Sequence, residues 1–135
     1  MGLYYLESPH KQITEDFWAS VEKVHDGDTI TVSMDERDFN FPVRLLGTNA
    51  PELNEPGGHD SQSWLEDQIL GESVLIKVDP KERVGKWGRI LGTIIHQGLD
   101  INKASISLGW ATSFEARNEG KIPDINKIFR MEQWF

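Results

Sequence analysis

Asp26-Gly27-Asp28-Thr29-Ile30-Thr31-Val32-Ser33-Met34 is the stretch that decides the fold. From Thr29 onward it alternates strictly. Ile30, Val32 and Met34 fall on one face, Thr29, Thr31 and Ser33 on the other, the signature of a half-buried antiparallel strand. The two aspartates around Gly27 predict a tight turn in front of it, with Gly27 supplying unusual backbone angles. Upstream, Phe17 to Val24 repeats the pattern, with Phe17, Ala19 and Val21 on one face. Downstream, the charged loop Asp35-Glu36-Arg37-Asp38 leads into Phe39, Phe41, Val43 and Leu45, a third alternating strand. Pro42 within it suggests an edge or a bulge.

Working outward, residues 1–15 lack periodicity and contain Pro9, so they read as an arm. Residues 16–135 are expected to form a single domain. Asn54 to Asp60 is a loop, followed by a helix over Ser61 to Leu70, with Ser63 and Glu66 at capping-box spacing and Gly71 as the stop. Val74, Ile76 and Val78 predict a strand. Arg89 to His96 predicts another, apolar on both faces. Asp100 is placed to cap a short helix, Ile101 to Leu108. Pro123 suits the first turn of a last helix carrying Ile125, Ile128, Phe129 and Met131. Three strands, helix, two strands, helix, helix fits a mainly β fold: a five-stranded Greek-key barrel of the OB type with three α-helices. An open antiparallel α+β sheet is the alternative.

Composition narrows the chemistry. The 135 residues contain no cysteine, which excludes disulfides, thiolate metal sites and a cysteine nucleophile. The four histidines share no zinc-like spacing. No apolar run approaches the ~20 residues of a bilayer span, so no membrane role is expected. The N-terminus has no signal-peptide pattern. Cytoplasmic location is the default expectation, with secretion left open for a trimmed mature form. A formal net charge of −8 argues against gripping nucleic acid by bulk electrostatics. Nothing points to an oligomer, so a monomer is expected.

Three groups of residues can carry chemistry. Asp26, Asp28, Asn49 and Glu52 offer hard oxygen donors of the kind calcium takes, provided the strands after Asp28 and before Asn49 are neighbours. Taken alone, the Asp-Gly-Asp turn reads first as an Asx-capped hairpin turn, because aspartate and glycine are the usual turn residues. Arg44 lies between Val43 and Leu45, so its charge must meet a carboxylate or a ligand. Arg89 opens an apolar strand. Two guanidiniums at strand ends suit a phosphate in transit, though each can also be a structural ion pair. The segment from Asp79 to Arg89 is locally basic through Lys81, Arg83, Lys86 and Arg89, with Trp87 among them. It suits a phosphate and a base, or is a solvated hairpin tip.

The order of these signals is more specific than any one of them. Val24 to Ile30, Val43-Arg44-Leu45-Leu46-Gly47-Thr48-Asn49-Ala50-Pro51-Glu52, Lys86-Trp87-Gly88-Arg89-Ile90-Leu91, and Ile101-Asn102 through Leu108-Gly109-Trp110-Ala111 together resemble the staphylococcal (thermo)nuclease family. That resemblance implies an OB-fold barrel with three helices. It also implies a calcium-dependent phosphodiesterase cutting DNA and RNA to leave 3′-phosphates. By motif it implies Asp28 and Asn49 as calcium ligands, Ala50 as a carbonyl ligand and Asp26 as a supporting carboxylate. Arg44 and Arg89 become phosphate-binding, Glu52 orders the attacking water, and Lys86 and Trp87 bind substrate. The family pattern has aspartate at the position of Asn49, so one negative charge is missing. Gly85 replaces an aspartate, and Glu115 and Arg117 stand where base-stacking tyrosines are found. A nucleic-acid-binding or scaffold module without catalysis is the alternative function.

Overall fold

The computed structural model describes residue 13, residues 15–79 and residues 90–113. The elements are β1 (Phe17–Asp26), β2 (Thr29–Ser33), β3 (Phe41–Leu45), β4 (Thr48–Asn49), α1 (Gly58–Ile69), β5 (Ser73–Lys77), β6 (Ile90–His96), β7 (Leu99–Asp100), α2 (Ile101–Ser107) and β8 (Thr112–Ser113). The main sheet runs β3-β2-β1-β5-β6-β7. A parallel pairing of β3 with β6 closes its first five strands into a barrel. The remaining pairings in that sheet are antiparallel, and β4 pairs β8 in a separate ribbon. The expected barrel is therefore present, with two helices among the described residues. The third, predicted after Pro123, lies outside them.

The alternation becomes a core as expected. Phe17, Ala19 and Val21 of β1, Ile30 and Val32 of β2, and Phe41, Val43 and Leu45 of β3 all point inward and are buried. Val74 and Ile76 of β5 and Leu91 and Ile94 of β6 complete the lining. Outside the barrel, α1 lays Leu65 and Ile69 on the sheet, and α2 covers β6 with Ile101. No helix of the described residues is long and apolar enough to cross a membrane.

Four local expectations change. Thr29 is buried rather than solvent-facing, because it sits beside the closed Asp28–Arg44 pair and donates its hydroxyl to Asp28. Pro42 is not on an edge: β3 lies between β2 and β6, and Pro42 only precedes Val43, the first residue paired with β6. The helix begins a turn early. Its N-cap is Gly57 at φ 84°, without a side-chain cap, and Ser63 is exposed in the second turn. Gly71 does end it, at φ 79°. Gly27 has no left-handed backbone. It is glycine for want of space: a Cβ there would overlap Ser61 Oγ and lie 2.7 Å from Ala50 Cβ. Asp100 caps α2 as read, accepting the Lys103 N–H at 2.9 Å.

Candidate active site

The Gly27–Asp28 turn between β1 and β2 delivers two carboxylates to one end of the barrel. Asp28 donates its N–H to Asp26 Oδ1 at 3.1 Å, the Asx turn expected from the sequence. The Asp28 side chain then turns inward and is only 8% exposed. Its Oδ1 accepts the Thr29 hydroxyl at 3.1 Å, and its Oδ2 accepts the Ala50 N–H at 2.9 Å. Arg44 Nη2 donates to the same Oδ2 at 3.3 Å and to the Thr48 carbonyl at 3.1 Å.

Strand register explains the meeting. Arg44 faces Thr29 across the β2–β3 ladder and Leu91 across the β3–β6 ladder, and the Leu45 N–H bonds the Asp28 carbonyl at 2.8 Å. Arg44 therefore emerges one position from Asp28. At 3.3 Å the charged contact is longer than the 2.7–2.9 Å typical of a tight ammonium–carboxylate or guanidinium–carboxylate bond. It neutralises a buried charge.

Asp26 is half-buried beside this pair. Its carboxyl is pushed up from 3.8 to about 6, first by burial, then by its hydrogen bond to Asp28 and by the Asp28 charge. A carboxyl raised in the folded state favours folding fully below pH 3.8, and that benefit is lost as pH rises through about 6. Asp26→Asn keeps the Oδ1 acceptor and offers an N–H where the proton was. In EDTA at pH 8 the variant is expected to be more stable than the parent by about 1 kcal/mol, after scaling for partial exposure. The difference should vanish near pH 3.5. Thermal unfolding at the two pH values measures it, and a variant less stable at pH 8 would contradict the crowding of the two carboxylates.

The residues after β3 converge in part. Thr48 is buried and closes the turn by donating its hydroxyl to the Leu45 carbonyl. Asn49 is exposed on β4, opposite Thr112 of β8, and its carbonyl accepts the Thr112 hydroxyl at 3.2 Å. Ala50 is held to Asp28 by the bond above. Glu52 is exposed, with its backbone N–H bonded to Glu55 Oε1 at 2.8 Å. The Glu52 carbonyl abuts Gly58, the first residue of α1, where a Cβ would overlap it. Lys86, Trp87 and Arg89 lie outside the described residues.

Among the described residues, no group of three or more His, Cys, Asp or Glu side chains converges as a metal site. What fits a hard cation is smaller: two adjacent carboxylates, one of which holds a proton up to about pH 6 because it is half-buried and faces the other. The Asn49 amide and the Ala50 carbonyl are oxygen donors of the same class.

The contacts of several contributors have no signal in the sequence. Ser61 and Gln62 of α1 contact the carboxylate turn and its approach from behind. Ser61 also donates to the Trp110 carbonyl at 3.0 Å. Asn102 of α2 is buried. It donates to the carbonyls of Leu46 and Gly92 and accepts the Ile94 N–H, tying the turn after β3 to β6. A buried amide satisfied this fully fixes strand positions. Its place in the last quoted motif was legible, its bonds were not.

Comparison with known proteins identifies the family. The family model described as staphylococcal nuclease homologue matches residues 42–133, which include Arg44, Asn49, Glu52 and Arg89. Asp26 and Asp28 precede the matched span and join it through the Arg44 and Ala50 contacts. An uncharacterized endonuclease of Escherichia coli is 32% identical over 108 residues, covering 79% of this chain and 67% of the relative. Protein ParB of Escherichia coli is 29% identical over 122 residues, 84% of this chain and 64% of the relative. The probable endonuclease LCL3 of Yarrowia lipolytica is 26% identical over 98 residues, 65% of this chain and 42% of the relative. With a matching family model over most of its length and a relative 32% identical across 79% of it, the chain belongs to the staphylococcal nuclease homologue family.

Proposed function

We propose that this domain is a calcium-dependent nuclease that hydrolyses phosphodiester bonds of DNA and RNA and leaves 3′-phosphates. The observation that carries the proposal is the buried Asp28–Arg44 pair at the barrel end, tied to the Thr48 carbonyl and the Ala50 N–H on either side of the exposed Asn49. Family membership and relatives named as endonucleases support it.

In this proposal Asp28, Asp26, the Asn49 amide and the Ala50 carbonyl hold calcium. The ion supplies Lewis acidity and a template for phosphate oxygens. Arg44 and Arg89 bind the non-bridging oxygens and stabilise the charge that grows on them. Lys86 and Trp87 contact the substrate beyond the scissile phosphate. Glu52 orients a water and accepts its proton as the water oxygen attacks phosphorus. The phosphorus–O5′ bond breaks in line, the leaving oxygen takes a proton from solvent, and the phosphate stays on the 3′ side. Burial keeps Asp28 and Arg44 fixed before substrate arrives, which spares reorganisation during reaction.

Single-stranded DNA incubated with the protein in calcium and in EDTA tests the proposal. Cleavage is expected only with calcium. Binding without cleavage in calcium would overturn it and leave the nucleic-acid-binding module. Asn49→Asp restores a negative charge at the exposed end of β4 and should tighten calcium binding roughly tenfold. Calorimetric titration measures this, and equal or weaker binding would remove Asn49 from the ligand set.

A further inference from the structure

We infer that Gln62, on the face of α1 turned to the barrel, is a positioning residue that sets the carboxylate turn for cation binding. The inference rests on the proposed calcium site.

The ladder between β1 and β2 is irregular where it approaches the turn. Val21 faces Val32, but Lys23 faces Thr31; Val24 faces Ile30, but Asp26 faces Thr29. Glu22 and His25 are thus extra residues on β1, two bulges within five positions. A bulge leaves backbone groups without ladder partners and lets the strand bend. Uncompensated, the last turn of β1 and the aspartates beyond it would be poorly fixed.

The helix supplies what the ladder lacks. Just beyond its C-terminus, in the link to β5, the Gly71 N–H bonds the Val21 carbonyl at 2.9 Å, and the Val21 N–H bonds the Glu72 carbonyl at 3.0 Å. Between the ends, Leu65 and Ile69 are fully buried. At the N-terminal end the Gln62 amide nitrogen donates to the carbonyls of Val24 and His25, each at 3.2 Å. These two carbonyls flank the second bulge. The imidazole of His25 goes the other way, to the Thr31 hydroxyl at 2.6 Å. One residue earlier on the helix, Ser61 closes directly on Gly27. So α1 acts as a splint along the irregular half of β1, and Gln62 is its only side-chain donor, among the described residues, to the bulge before Asp26.

Only a long, uncharged double donor does this. Glutamate cannot donate, and asparagine is one methylene shorter. Residues that orient metal-binding groups without touching the metal typically change affinity by about 10–100-fold when lost.

The test uses the whole chain and calcium chloride as the probe. Calcium dissociation constants are measured by calorimetry for the parent, Gln62→Met and Gln62→Asn, with thermal unfolding in EDTA alongside. Methionine keeps the volume and removes the donors. The expected result is about tenfold weaker calcium binding for Gln62→Met, with Gln62→Asn intermediate. A Gln62 that only stabilised the fold would lower the unfolding temperature and leave calcium affinity unchanged, which overturns the inference while the nuclease proposal stands. A parent that binds no calcium overturns both. If Gln62→Met fails to fold, Gln62→Asn carries the same comparison.

Discussion

Arg44→Met is expected to lower cleavage of single-stranded DNA by roughly 10²–10³-fold, the scale of losing a pre-placed charge-stabilising donor. The loss should fall on kcat, because the guanidinium matters most when charge grows on the phosphate oxygens. The same substitution is expected to cost stability. Both side chains are nearly buried, 11% exposed for Arg44 and 8% for Asp28, so removing one leaves the other's charge uncompensated. Breaking a buried pair in this way costs about 3 kcal/mol, and the lower end applies because Asp28 keeps its bonds from Ala50 and Thr29. Arg44→Lys separates the effects. Lysine restores charge to Asp28 but cannot also reach the Thr48 carbonyl and a phosphate from one planar fork. It should recover most of the stability and little of the rate. Steady-state kinetics and thermal unfolding measure the two, and an Arg44→Met protein that folds poorly but cleaves normally would make Arg44 structural only.

Asp28→Asn is expected to abolish calcium-dependent cleavage, by 10³-fold or more if the carboxylate both holds the cation and faces Arg44. An amide oxygen in the place of Oδ2 can still accept from Ala50 and Arg44, but its NH₂ must then face the Thr29 hydroxyl. That hydroxyl gains a donor for a partner, and the buried arginine loses its counter-charge. The variant should therefore be less stable than the parent in EDTA. Asp26→Asn has the opposite expected sign at pH 8, since it relieves crowding instead of removing a partner. Two aspartates two residues apart thus give opposed stability responses to the same substitution. Destabilisation by both would mean that each is simply a turn cap, with no division of roles between them.

The barrel was largely legible because it depends on short-range order. Period-two alternation in Phe17–Val21, Thr29–Ser33 and Phe41–Leu45 encodes which side chains enter the core, and burial of those side chains is what closes the sheet. Asp100 and Gly71 were legible for a similar reason, since a helix cap and a left-handed stop are satisfied within a few residues. The start of α1 was not. The capping-box pattern at Ser63 and Glu66 lost to Gly57, at φ 84°, and Gly58, where the Glu52 backbone comes too close for a side chain. A local preference worth about 1 kcal/mol yields to a steric demand set across the loop.

The candidate site divides in the same way. The sequence by itself determined its chemical inventory: two carboxylates on a turn, an arginine in an apolar strand, an amide and a carboxylate just beyond. Whether Asp28 and Arg44 meet depended on the two strands being neighbours, which the β2–β3 ladder supplies. Only the tertiary structure decided that Arg44 and Ala50 converge on one carboxylate oxygen and that Asp26 is buried and close enough to Asp28 to hold a proton up to about pH 6. The tertiary structure likewise decided that Gly27 is glycine for lack of room and that Gln62 supports the bulge before the turn. Each of these joins residues brought together by the folded barrel and α1, and depends on angle and distance to a fraction of an ångström. Periodicity records which face a residue occupies. It carries no record of what lies across the gap.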